Sequence, residues 1–228
     1  MAATEDAPLV TIDLFSALLD SRAGATAALA QVAAEHGWPG AIAGDVYDQW
    51  DRRNKQLHAA CTAWVPFREL AVQAMTATMQ DLQLSGDPRT VTNALLASAG
   101  SWPLWPDVAE GLAALGAVAS LGVLSNVDDD IYARTVVAQR LGTGNALTSQ
   151  KLQAYKPHAA IYTAARAHAR GPYVHVASSQ RDVRGAAAAG IHTVRLVRSG
   201  FDVDEDGARL AGRVEQLADV TGFVPPQD

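Results

Sequence analysis

The sequence predicts an α/β protein: a Rossmann-like, doubly wound parallel sheet core with an inserted helical cap domain. Three observations predict it. A short, apolar, β-branched run at residues 7–12 reads as a buried strand and ends on Asp13. A stretch of about residues 44–98 then reads as helix with almost no strand signal. From residue 107 onward strand and helix patterns alternate, which implies parallel strands with helices on both faces. The partition that follows is a core of residues 1–22 and 100–228 and a cap of residues 23–99.

Each element has its own signal. After Asp13 a loop or turn carrying Ser16 and Asp20 leads to Gly24, and residues 25–36 are helical, closed by Gly37, Trp38 and Pro39. Three further helices, at 45–64, 67–84 and 87–99, are divided by Pro66 and by Ser85-Gly86-Asp87-Pro88. Residues 107–115 form a helix whose first turn carries Asp107, where a carboxylate suits the helix dipole. A strand at 117–124, a helix at 128–139 and a weak strand at Ala146–Thr148 follow. Pro157 opens a helix to residue 169. Tyr173–Ala177 is a strand, 182–189 a helix ended by Gly190, 192–197 a strand, and 207–217 a last helix.

Composition narrows the functional classes. The chain has 228 residues, 49% of them hydrophobic and 18% charged, with net charge -6. An acidic balance of this kind gives no basic surface for nucleic acid. The N-terminal segment MAATEDAPLV has neither a basic start nor an apolar core, and the apolar stretch around residues 111–123 is broken by glycines. No signal peptide and no membrane span are therefore expected, and the cytoplasm is the expected compartment. Cys61 is the single cysteine, which excludes an intramolecular disulfide. Set in a helical, alanine-rich stretch, it reads as a buried inert thiol.

In open parallel sheets, ligands sit beyond the carboxyl ends of the strands. Those ends carry Asp13, Ser125-Asn126, Lys156 after its strand and loop, and Ser178-Ser179 before Asp182. Together they make a workable catalytic kit. Asp13 would be a carboxylate nucleophile able to form a covalent ester. Lys156 would keep it ionised. Ser125 and Asn126 could donate to the substrate's anionic group or leaving group. Asp182 would orient Lys156 or position the water that opens the ester. Taken singly, the aspartate could be only a turn former and the Lys-Pro pair only a helix start.

The full set resembles the haloacid dehalogenase superfamily over nearly the whole chain. Its four motifs stand here as VTIDLFSALLD, GVLSN, AYKP and VASSQRDVRGAAAAG. Within the superfamily the chain is similar to the type II 2-haloacid dehalogenases, whose tyrosine six residues beyond the motif-three lysine matches Tyr162. The resemblance also implies substrate contacts from Phe15, Asn126, Tyr162, Ser178 and Ser179. Arg53-Asn54-Lys55-Gln56-Leu57 reproduces a cap stretch whose arginine would help bind departing halide, with Trp64 and Phe67 following where apolar pocket residues are expected. The other reading of Arg53 is a solvated helix face among Asp51, Arg52 and Lys55.

Several positions depart from the family patterns. Phosphatases of the superfamily carry an acid two residues after the nucleophile and an acidic fourth motif for Mg²⁺. Here those positions are Phe15 and Ser178, so Asp13 and Asp182 alone would remain for a metal. No metal and no cofactor are therefore expected. Against the dehalogenases, Ala17 lacks the hydroxyl that would bond Asp13. Arg181 replaces the aromatic residue before the final aspartate; it is either an inward anion site or a surface residue at a helix start. The acidic run Asp128-Asp129-Asp130 reads as a solvated helix N-terminus. Trp50, Trp64, Trp102 and Trp105 cluster in or beside the cap, where they would form a homodimer interface, fill the cap core or wall the pocket.

The expected function is hydrolytic removal of halide from a short 2-haloacid through an aspartyl ester. The alternatives are a Mg²⁺-dependent small-molecule phosphatase and a non-catalytic or regulatory protein of the same fold.

Overall fold

The computed structural model describes residues 7–226; the first six residues of the segment read as lacking a leader lie outside them. Within these residues the strands are β1 (Leu9–Ile12), β2 (Ser120–Ser125), β3 (Ala146–Thr148), β4 (Tyr173–Ala177), β5 (His192–Leu196) and β6 (Gly212–Val214). They form one parallel sheet in the order β3-β2-β1-β4-β5-β6. The chain winds outward from β1 to β3, then crosses back to β4 and winds to the other edge. The winding reverses between β1 and β4, where such sheets open a crevice.

Side chains alternate across each strand, and both faces are covered. Val10, Ile12, Val123, Val174 and Val176 join the larger core with Leu112 and Leu115 of α5 (Val108–Gly116). Leu9, Leu124, Leu147 and Tyr173 point the other way. They pack on Ile161, Tyr162 and Ala165 of α9 (Ala159–His168) and Ala186 of α10 (Gln180–Ala188). Double coverage is why these strands read as near-continuous apolar runs.

Four long helices lie between β1 and β2: α1 (Ser21–His36), α2 (Ala43–Ala60), α3 (Phe67–Asp81) and α4 (Pro88–Ala97). Their ends follow local chemistry. Asp20 caps α1 through Ala23 N, and Gly37 closes it at φ 67°. Asp87 caps α4 through Thr90 N, with Pro88 in the first turn. The chain leaves and re-enters the core side by side, at an antiparallel bridge between Leu19 and Leu104.

The cap docks on the core largely through its own backbone. Tyr155 donates to Val65 O (2.6 Å), Arg181 Nη1 donates to Lys55 O (2.5 Å), and His158 Nε2 lies 3.3 Å from His58 O. Asp128 accepts from Phe67 N (2.9 Å) and Arg68 N (3.0 Å), so a core carboxylate caps a cap helix whose own Pro66 offers no side-chain acceptor.

Asp128 is thus buried and bonded, which corrects the expectation of a solvated acidic helix start. Asp129 instead accepts from the Thr148 hydroxyl, and Asp130 pairs with Arg68 and Arg134.

Three elements differ most from expectation. The helix expected over 45–64 ends at Ala60; Cys61 is a half-buried residue at its C-cap, with Sγ 2.7 Å from Ala63 O, and Trp64 lies in the irregular link. The helix expected over 128–139 is two, α6 (Asp129–Arg134) and α7 (Val136–Leu141). Thr135 adopts extended angles between them and caps α7 through Ala138 N. The last helix, expected over 207–217, is instead a turn at Gly207, the edge strand β6 and a 3-10 segment at Leu217–Phe223. The segment pairs with the β5 edge, and glycine fits at 212 because a Cβ there would stand 2.1 Å from the Phe223 ring that covers it.

The tryptophans do not form an exposed patch. Trp50 and Trp102 are buried against the pocket, and Trp64 and Trp105 are half-buried against the core. Among the described residues no helix is long and apolar enough to cross a membrane.

Candidate active site

The end of β1 delivers Asp13, and the next residues form a π-helical turn, Leu14–Leu18. That turn folds Ser16 back, so Asp13 Oδ2 accepts from Ser16 N (3.0 Å) and from the Ser16 hydroxyl. The hydroxyl missing at Ala17 is therefore supplied one residue earlier, and Ala17 is simply buried in the core. The other carboxylate oxygen, Oδ1, accepts from Lys156 Nζ at 2.6 Å.

Lys156 is 4% exposed and its ammonium is saturated. Its three donors go to Asp13 Oδ1 (2.6 Å), Asp182 Oδ2 (2.6 Å) and Leu124 O (2.9 Å). Burial works against its charge, but Asp13 and Asp182 outweigh it and raise the pKa. Asn126 clamps the Lys156 backbone, accepting from Lys156 N (2.8 Å) and donating to Lys156 O (3.0 Å).

Asp182 sits in the first turn of α10 and is held at both oxygens by fixed partners. Oδ2 takes Lys156, while Oδ1 takes the Tyr162 hydroxyl (2.9 Å) and lies 3.1 Å from His175 Nε2. Burial alone would raise its pKa; Lys156 and His175 hold it well below the ordinary carboxylate range. His175 and Thr11, fully buried on the α9–α10 face of the sheet, continue this chain, with His175 Nδ1 3.0 Å from the Thr11 hydroxyl.

A pocket opens over Asp13 between core and cap, with a cavity of about 80 Å³. From the core come Phe15, Ser125, Asn126, Ser179, Arg181 and Asp182. From α2 come Tyr47, Trp50, Asp51, Asn54, Lys55 and His58, with Phe67 from α3. Phe15 stacks on Phe67 at 6.3 Å and tilts against Trp102 at 5.6 Å, making an aromatic wall where a general acid would otherwise stand. His58 stacks on Tyr155 at 4.5 Å. Burial first, then Arg181 and Lys55, lower its pKa to about 3, so it is neutral near pH 7.

The structure brings together Asp13, Phe15, Phe67, Ser125, Asn126, Lys156, Ser179, Arg181 and Asp182. It leaves four expected residues out of the pocket, one of them Trp64, half-buried in the link between α2 and α3. Arg53 pairs with Asp81 of α3 instead of lining the pocket, because residue 53 lies beside the helix stripe 47, 50, 51, 54, 55, 58 that faces it. Tyr162 is buried behind Asp182 and touches its carboxylate, not the cavity. Ser178 is buried beneath the crevice with an unbonded hydroxyl. Asn54, His58 and His175 were not singled out from the sequence. For the first two the signal was present in their i, i+4 spacing after Trp50.

The two carboxylates left for a divalent metal are both bonded to Lys156 Nζ, whose ammonium lies between them. Among the described residues no group of three or more His, Cys, Asp or Glu side chains is placed to hold a metal. The residues present do not fit a Mg²⁺ site.

A family model described as haloacid dehalogenase-like hydrolase matches residues 8–190. The chain belongs to this family. Among curated relatives, an (S)-2-haloacid dehalogenase 4A of Burkholderia cepacia is 27% identical over 179 residues, 74% of this chain and 77% of the relative. A dehalogenase crystal structure matches with TM-score 0.79 and 24% identity, covering 100% of both chains. The L-2-haloacid dehalogenase of Xanthobacter autotrophicus with chloropropionic acid covalently bound matches with TM-score 0.78 and 19% identity, over 96% of this chain and 98% of that one. These two structural likenesses establish the haloacid dehalogenase fold with its cap. The chain is accordingly a haloacid dehalogenase-like hydrolase.

Proposed function

We propose that this hydrolase removes halide from short 2-halocarboxylates without a metal, using Asp13 as the nucleophile. The observation that carries the reading is the saturated Lys156 ammonium between Asp13 and Asp182, beside an aromatic residue at Phe15. A lysine in that place fixes one oxygen of Asp13 and occupies the space between the carboxylates. Phe15 has no proton to give a leaving alcohol, and a departing halide needs none. The covalent chloropropionate in the Xanthobacter relative supports chemistry at carbon.

In this reading an Asp13 oxygen attacks C2, the C–O bond forms and the C–halogen bond breaks, and halide leaves with the bonding pair. Water then adds to the Asp13 ester carbonyl, releasing the 2-hydroxy acid and a proton and restoring the carboxylate. Ser125 and Asn126 line the substrate side, Ser16 and Lys156 hold the nucleophile, and Asp182, braced by Tyr162 and His175, holds Lys156. Phe15 and Phe67 shield the reacting carbon from bulk water.

The test is halide release from C2 to C4 2-chloro- and 2-bromoacids, with and without EDTA. Release that EDTA leaves unchanged and Asp13→Ala abolishes is expected. Turnover of p-nitrophenyl phosphate that needs Mg²⁺, with no halide release, would refute the reading.

A further inference from the structure

We propose that Arg181 is the carboxylate receptor of the pocket, and that the pocket is built for a substrate bearing one negative charge. A carboxylate placed near Asp13 meets an anion, so a cation must offset the repulsion. Three cationic residues line the cavity: Lys55, Lys156 and Arg181. Lys156 has spent its three donors on Asp13, Asp182 and Leu124 O. Lys55 is tied to Asp51 at 2.5 Å, with its ammonium over the Phe201 ring at 5.8 Å.

Arg181 is different. Of its five N–H donors, one is assigned, Nη1 to Lys55 O, and Nε is shut off from solvent with no acceptor. Among the described residues it makes no ion pair. A guanidinium that is largely desolvated and left without a carboxylate is under-satisfied, and a planar ligand carboxylate supplies what its fork lacks. Lys55 O fixes the guanidinium from the cap side, so the group is held in place before any ligand arrives. His58 adds no second positive charge, because it is neutral near pH 7. Asp51, Asp13 and Asp182 lie near enough to act on Arg181 electrostatically and would repel a second anionic group.

The inference rests on the proposed reaction only in placing the carboxylate beside the carbon that Asp13 attacks, and it can be tested without turnover. Trp50 and Trp102 line the cavity, so binding is read from tryptophan fluorescence and checked by calorimetry. Unreactive probes are propionate, its neutral analogue propionamide, and succinate. The wild type is expected to bind propionate more tightly than succinate. Arg181→Leu should weaken propionate by about tenfold or more, leave propionamide unchanged and retain the wild-type circular dichroism, while loss of the bond to Lys55 O lowers the melting temperature. Arg181→Lys should keep part of the affinity and guards against a packing defect in the leucine variant. Propionate bound equally by the wild type and Arg181→Leu overturns the inference, as does succinate bound more tightly than propionate. A leucine variant that loses bromide binding but keeps propionate also overturns it, assigning Arg181 to the halide. A wild type that binds propionate through Arg181 yet releases no halide supports the receptor and removes the proposed reaction instead.

Discussion

Asp13, Lys156 and Asp182 form one electrostatic unit, and removing its centre leaves two buried carboxylates facing each other. Lys156→Met is expected to cost about 3–5 kcal/mol of stability, measured by urea unfolding, in addition to abolishing activity. The signs of pH dependence follow from the shifts. Lys156 is raised, so its contribution is full below the ordinary value of 10.5 and is lost as pH rises through the higher folded value. Asp182 is lowered, so its contribution is present above 3.8 and is lost as pH falls through the folded value. His58 acts earlier on the acid side. Between pH 6.5 and about 3 the unfolded chain binds a proton that the folded one refuses, so stability falls with falling pH by up to about 1.4 kcal/mol per unit. Unfolding curves at pH 4, 5, 6 and 7 should show a shallower acid limb in His58→Asn than in the wild type. An unchanged limb would mean that His58 is not held neutral. Asp13 and Lys156 were legible in the sequence because each ends a segment in a fixed order. His175 was not, because a histidine inside a doubly buried strand has no spacing signal, and its role exists only through Asp182 across a turn.

Among the elements, α2 and α3 supply the cap's side of the pocket, and α3 depends on a residue outside the cap. Asp128→Ala would leave Phe67 N and Arg68 N without their acceptor. A loss of about 0.5–2 kcal/mol is expected, as for other lost N-caps, with faster proteolysis of the link between α2 and α3. Asp128→Asn should recover part of both, since its side-chain oxygen can still accept. The sequence marked the start of α4 well, through Asp87 and Pro88, because those caps are local. It could not mark the cap of α3, which comes from 60 residues downstream. The misread C-terminal segment has a similar cause: Gly212 pairs as a strand because β5 offers an edge and Phe223 fills the space above it. Arg53 was misplaced by a single helical step, about 100° around α2.

At the scale of the whole molecule, the order of the sheet and the position of the insertion place the pocket where the winding reverses. The alternating pattern after residue 107 carried most of that information. Closure of the cap was not legible, since it is made by contacts between distant segments. The cavity, about 80 Å³, is far below the roughly 300–1,000 Å³ of drug-sized ligand sites. Steady-state kinetics across 2-bromoacids should therefore show kcat/KM falling by about tenfold or more between C3 and C6, mainly through KM. Equal values across the series would mean that the cap opens during turnover.

The core grips the cap at Lys55 O, His58 O, Val65 O, Phe67 N and Arg68 N, and main-chain atoms are present whatever the side chain. Docking and substrate choice are thereby written in separate alphabets. Mutation can rewrite much of the pocket face of α2 while these main-chain grips stay in place, His58 with its stack on Tyr155 being the exception. A lineage or a library exploring new substrates on this scaffold can vary Tyr47 and Asn54, whereas His58 and Trp50 also hold the cap through Tyr155 and Ala71 O.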